Sequence, residues 1–243
     1  MTSQINYPDP NIKIPERLNI KGEKVVLLAF HENHDTAISK LLSDPITMQY
    51  LLNMAKLPTG WTKEEAAERR VTRTLNQSQG TMVNFAIVVK KSVIDNLGIT
   101  SFEESEYIYP PLKNEKDYPL CSEFDFGVEP YVVVGNVGMQ HIDISSARGE
   151  VGIIADKRVW GHKISSEAIL LVLKYAFETL KFHRIEFVTN KDNSSMRGWL
   201  ERYCKIQPES IAKDAIFVNN NYTDIYTYAL FESDWHSSLK SLF

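Results

Sequence analysis

The stretch from Gly149 to Leu180 constrains this 243-residue chain more than any other. It opens on GEVGIIA (149–155), a short apolar, β-branched run that reads as a strand. A loop through Trp160-Gly161-His162-Lys163 follows, and about Ser165 to Leu180 then reads as a long helix. Ala168, Leu171, Val172, Tyr175, Ala176 and Leu180 make one apolar stripe, and Ile169, Leu170, Leu173 and Phe177 are apolar too. Such a helix has to be buried on more than one side. Its start exposes unpaired backbone N–H groups and the positive end of the helix dipole. That is a ready anion site, used most often for phosphate, with Arg158, His162 and Lys163 beside it. A plain turn with Gly161 at the bend also accounts for the spacing, because one glycine does not decide. Two better-known phosphate loops are absent: there is no GxxxxGK[ST], and Gly135-x-x-Gly138 is not GxGxxG.

The remaining chain mixes strands and helices without an obvious boundary or internal repeat. Pro8, Pro10 and Pro15 make residues 1–18 an arm rather than a helix. Residues 24–30, 81–90, 131–144, 184–189 and 222–231 read as strands. His31 to Leu52 is helix-like and broken at Asp44-Pro45. Thr62 is expected to cap a charged helix that runs to about Gln77, with Glu65 as capping-box partner. A shorter helix is expected from about Ser194 to Tyr203. Residues 92–130, rich in proline, acidic and aromatic residues, read as an insertion. These elements predict one α/β (α+β) domain over 19–243.

Composition narrows the function classes. A net charge of −4 gives no basic excess for nucleic acid. The longest apolar runs, such as Val25 to Phe30, are too short to span a bilayer. Cys121 and Cys204 stand alone, with no disulfide or zinc spacing. A cytoplasmic protein is expected, with the nucleus also open to it. His31 and His34 could share a helical face, but without further ligands a solvated helix start is the simpler reading and no metal is expected.

Three motifs in order carry a resemblance. Glu150-Val-Gly152-Ile-Ile-Ala155 precedes Trp160-Gly161-His162-Lys163-Ile164-Ser165-Ser166-Glu167-Ala168; Asn193 follows the 184–189 strand; and Tyr222-Thr-Asp224-Ile-Tyr-Thr-Tyr228-Ala-Leu230 leads to Asp234-Trp235. Over roughly residues 20–235 this resembles the GNAT acetyltransferases, in particular their RimJ/RimL-like branch. The resemblance implies a GNAT fold: a central mixed, mostly antiparallel sheet of about six to seven strands, splayed at the fourth and fifth and flanked by helices. It implies acetyl-CoA as co-substrate and an amine acceptor, a protein N-terminal amine by the RimJ/RimL resemblance; the acidic insertion, with Glu103, Glu104 and Glu123 to Asp125, tilts instead toward a small cationic amine, and a monomer or homodimer is expected. It also implies that Ile153, Ile154 and Ala155 meet the pantetheine arm. Gly161, His162, Lys163, Ile164 and Ser165 would cradle the pyrophosphate, and Asn193 would touch the coenzyme from the other side.

The chain departs from the family at several points. Lys163 stands where the family has a second loop glycine, and an alternative register through Arg158, Gly161 and Lys163 exists. Met196 replaces a serine, Leu200 occupies the place of a tyrosine acid, and Cys204-Lys205 replaces Gly-Phe. Amine acetylation needs a route for the amine's proton. Glu150 is the first candidate base, with His141 and Asp143 behind it, and a strand-edge carboxylate that only binds substrate is the plainer alternative. Direct transfer without an acyl-enzyme is expected. The departures favour one rival, a GNAT-like domain that binds CoA or a partner without catalysis. A phosphate-binding α/β protein of another kind is a second.

Overall fold

The computed structural model describes residues 12–51, 54–110, 129–218 and 220–242. One eight-stranded sheet runs through it in the order β1-β2-β3-β4-β5-β6-β8-β7. The strands are β1 (Ile20–Lys21), β2 (Val26–Leu28), β3 (Val83–Lys90), β4 (Tyr131–Asp143), β5 (Arg148–Ala155), β6 (Arg184–Asn190), β7 (Ser210–Val218) and β8 (Asn221–Phe231). Every neighbouring pair is antiparallel except β5 and β6, which are parallel. The expected six to seven strands are therefore eight. β1 is only two residues long, and β7 lies at the sheet edge with most of its residues exposed. An edge strand wet on both faces shows no in–out alternation, so its sequence carries little strand signal.

The helices are α1 (Asp35–Ser43), α2 (Lys63–Ser78), α3 (Lys91–Asn96), α4 (Ile164–Lys174), α5 (Ser194–Gly198) and α6 (Glu232–Ser237). α4 continues into a π-helical turn, Tyr175–Thr179, and α5 into another, Trp199–Tyr203. The Thr62–Glu65 capping box forms as expected: Thr62 Oγ1 accepts from the Glu65 amide, and Glu65 Oε2 from the Thr62 amide. After Asp44, however, the chain makes turns rather than a second helical piece, and Asp44 Oδ2 accepts from the Thr47 amide.

The two faces of the sheet bury separate cores. On one, Phe85, Ile87, Val132 and Val134 pack against the apolar residues of α4 and against Phe182 and Trp235. On the other, Ala86, Val88, Tyr131, Val133 and Ile154 pack against Ile38, Leu41 and Leu42 of α1 and Ala66 of α2. The strands bordering the site meet closely at Gly138, where a Cβ would collide with the Val83 carbonyl oxygen, so only glycine fits there. Of the arm, Ile14 is buried, and Gln77 Nε2 donates to the carbonyls of Pro15 and Glu16. Of the insertion, α3 and a 3-10 turn at Glu104–Glu106 are described, and Ile108 bridges to Tyr131. Cys121 and residues 123–125 lie outside the described residues.

Candidate active site

β5 and β6 pair only from Arg148–Arg184 to Glu150–Glu186. Beyond Glu150 they diverge, while β5 stays paired to β4 as far as Ala155 and β6 to β8 as far as Asn190. Each strand therefore turns one ladder edge toward a gap. Backbone N–H and C=O groups on such edges need partners, and an extended, amide-bearing chain can supply them. Ile153, Ile154 and Ala155 lie along this opening.

The opening leads to the start of α4. Lys163 is its N-cap, in the left-handed region with φ 65° and ψ 6°, and its side chain makes no cap. Gly161 has φ 83°. The family glycine replaced by Lys163 is thus a position of positive φ, which a lysine adopts at a cost of roughly 1 kcal/mol or more. The amides of Ile164 and Ser165, in the first helical turn, have no intrahelical acceptor and no side-chain cap.

Arg158 is not free to join this site. It donates from Nε and Nη2 to Asp156, and from Nη1 and Nη2 to Glu106. Its guanidinium lies 3.9 Å from the centre of the Phe102 ring. Burial works against its charge, but the hydrogen bonds to Asp156 and Glu106 win and hold its pKa above the ordinary arginine value. Arg158 is a clamp between the β5–α4 loop and the insertion, so of the three basic residues near the helix start His162 and Lys163 are left. Two acidic residues of the insertion are engaged as well: Glu104 lies 3.7 Å from Lys91, and Glu103 caps its own turn.

Asn193 sits on the β6 side of the opening with its amide in use. Its Oδ1 accepts from the Met196 amide, and its Nδ2 donates to Thr189 Oγ1. Asn190 Nδ2 in turn donates to the Tyr50 carbonyl. Glu150 lies at the closed end of the opening, its side chain 19% exposed. Gln140 Nε2 donates to one of its oxygens at 2.8 Å, and His141 Nδ1 lies 3.1 Å from the other. Asp143 is a turn residue: Ser145 and Ser146 hydrogen-bond to it and lower its carboxyl to about 2. Leu200 is fully buried, and burial pushes the Cys204 thiol up to about 12, so it stays protonated at neutral pH.

The register shows which residues share a face with Glu150. Directly paired residues and residues two apart point the same way. Gln140 pairs with Glu150, Gly138 with both Gly152 and Asn84, and Asn136 with both Ile154 and Ala86. Gly152 is open: a Cβ there would meet nothing within 4 Å. A floor bare of side chains at Gly138 and Gly152 thus lies between Glu150 and the two asparagines. Arg73 of α2 reaches it by donating to Asn84 Oδ1. Sequence reading passed over Arg69 and Arg73 as part of a charged helix; the only local signal was their i, i+4 spacing.

The paired histidines are buried rather than solvated. His31 Nδ1 accepts from the Asn33 amide, His34 Nδ1 from the His31 amide, and His34 Nε2 lies 3.2 Å from Tyr131 Oη. Among the described residues no group of three or more His, Cys, Asp or Glu could hold a metal, and no helix is long and apolar enough to cross a membrane.

A mixed sheet split between two parallel strands, with a long helix starting at the split, defines a GNAT domain. The model of the Acetyltransferase (GNAT) domain family matches residues 24–203, and the chain belongs to that family. Among its relatives are "Uncharacterized N-acetyltransferase p20" of Bacillus licheniformis, 26% identical, and "Putative ribosomal N-acetyltransferase YdaF" of Bacillus subtilis (strain 168), 27% identical. Each match covers 42% of this chain and just over half of the relative, 57% and 55% respectively. They are in keeping with the RimJ/RimL-like resemblance. The fold is shared with a GCN5-related N-acetyltransferase from Brucella melitensis, with TM-score 0.65, 17% identity and coverage of 96% of this chain and 86% of that one. It is shared too with the microcin C7 self-immunity acetyltransferase MccE, solved with acetyl-CoA and AMP, at TM-score 0.61, 12% identity and coverage of 86% and 93%.

Proposed function

We propose that this chain transfers an acetyl group from acetyl-CoA directly to an amine. The observation that carries the proposal is the β5–β6 opening, unpaired past Glu150 and leading to an uncapped helix start. Bound acetyl-CoA would supply an activated thioester carbonyl. The free edge at Ile153, Ile154 and Ala155 suits the pantetheine amides, and the loop from Gly161 to Ser165, with the amides of Ile164 and Ser165 unused, suits a pyrophosphate, with the Lys163 ammonium adding charge and His162 beside it. Asn193 orders the opposite wall through its cap. In this reading Glu150, held by Gln140 and His141, takes the amine's proton, and the exposed His141 ring offers that proton a path to solvent.

Leu200 supports a second reading, coenzyme binding without catalysis, because a fully buried leucine supplies no proton where a tyrosine would. Melting temperature with acetyl-CoA, CoA, ATP and NAD titrated separately tests the proposal, since a ligand of the native state raises it by mass action. The expected result is a rise with acetyl-CoA and CoA alone, reduced by Gly161→Val or Asn193→Ala. No rise at saturating acetyl-CoA refutes it. A rise without CoA release to any amine favours the second reading.

A further inference from the structure

The face of the sheet that carries Glu150 also meets two arginines with no counterion among the described residues. Arg69 and Arg73 project from successive turns of α2, and neither makes an ion pair among the described residues. Burial, and then the neighbouring Arg73 charge, push Arg69 down to about 9, which leaves it protonated at neutral pH. Arg69 Nη2 is buried with no hydrogen-bond partner. Asn136 Oδ1 is a second orphan, on a residue only 7% exposed, and Asn84 Nδ2 is a third. A cavity of about 10 Å³ beside Asn84, lined also by Phe30 and Gln77, has room for a single water. Neither Arg69 nor Asn136 lines it.

Buried unpaired charge is costly, and apolar replacement of such a group is often stabilising. Retaining it next to an open floor calls for a partner that arrives from outside the chain. We infer that the acceptor amine carries an anionic group, a carboxylate or a phosphate, that docks at Arg69 and Arg73 while its amine end lies toward Glu150. This rests on the acetyl-transfer reading and assigns its acceptor class. The guanidinium fork suits either anion. The polarity follows from the floor, positive over Asn84 and negative at Glu150. Strand spacing separates those two backbone positions by about 12 Å, roughly the reach of a molecule between an amino acid and a dipeptide once the side chains extend inward. This acceptor differs from the small cationic amine that the acidic insertion led us to expect; of that insertion Glu104 lies beside Lys91 and Glu106 is held by Arg158.

The test uses the full chain and matched amines. CoA release is followed with β-alanine against β-alaninamide, with phosphoethanolamine against ethanolamine, and with spermidine. At least one anion-bearing member should exceed its neutral partner in kcat/KM by about 10- to 100-fold, and which pair responds separates carboxylate from phosphate. Arg73→Gln should abolish the preference through KM. Preference for the neutral amines or for spermidine overturns the inference.

A second measurement does not depend on turnover. Inorganic phosphate or acetate should raise the melting temperature of the wild type. Arg69→Met should melt higher than wild type without ligand and lose that response. A lower melting temperature with the anion response intact assigns Arg69 a structural role and overturns the inference. Acetyl-CoA should stabilise all variants alike. If it stabilises none, the acetyl-transfer reading fails, while the anion titration still decides the arginine pair.

Discussion

Acidification should destabilise the protein through His34 well before its carboxylates titrate. Burial first, and then the charges of His31 and Arg70, hold the His34 imidazole down at about 3, against 6.5 for a free histidine. Between those values the unfolded chain binds a proton that the folded chain excludes. Stability is therefore fully present above pH 6.5 and is lost as pH falls toward 3. From pH 7.5 to pH 5.0 this single group removes about 2 kcal/mol. In a chain of this size that corresponds to a fall of about 4–8 °C in melting temperature. His31, also lowered by its burial, adds to the slope. The assay is thermal unfolding across pH 5.0–7.5 for the wild type and His34→Gln. The Gln side chain retains an acceptor for the His31 amide and a donor for Tyr131 Oη but does not titrate. His34→Gln should be less stable at pH 7.5 and show a flatter profile. Parallel profiles for the two proteins would refute the assignment.

Two further outcomes follow from the site. Arg158→Gln leaves Asp156 and Glu106 close together without their shared cation, at a cost of about 2–3 kcal/mol; the denaturant midpoint should fall and the KM for acetyl-CoA rise, and an unchanged midpoint would show the clamp to be idle. Glu150→Gln should lower kcat by about 10²–10⁴-fold with the KM for acetyl-CoA unchanged; wild-type turnover, with its usual pH profile, would remove Glu150 as the base.

What the sequence determined by itself was local. The Thr62–Glu65 box, the apolar stripe of α4 and the turn at Gly161 each depend on residues within a few positions, so periodicity and caps suffice to read them. The order of motifs from Glu150 to Trp235 carried the family. Contacts between distant segments left no such trace. Arg158 looked like a phosphate ligand because its sequence neighbours are basic, yet Glu106, 52 residues away, engages it. His31 and His34 looked solvated because they open a helix, yet both are buried, and Tyr131, 97 residues beyond His34, meets His34 from β4. Arg69 and Arg73 sit in a helix that reads as surface, and only its docking on the sheet brings Arg73 to Asn84. The split between β5 and β6 is likewise a fact of pairing, since each strand satisfies one edge elsewhere and the other faces the gap. Propensity is a property of neighbours in the chain, whereas burial and counterions are properties of neighbours in space, and these only the tertiary structure decides.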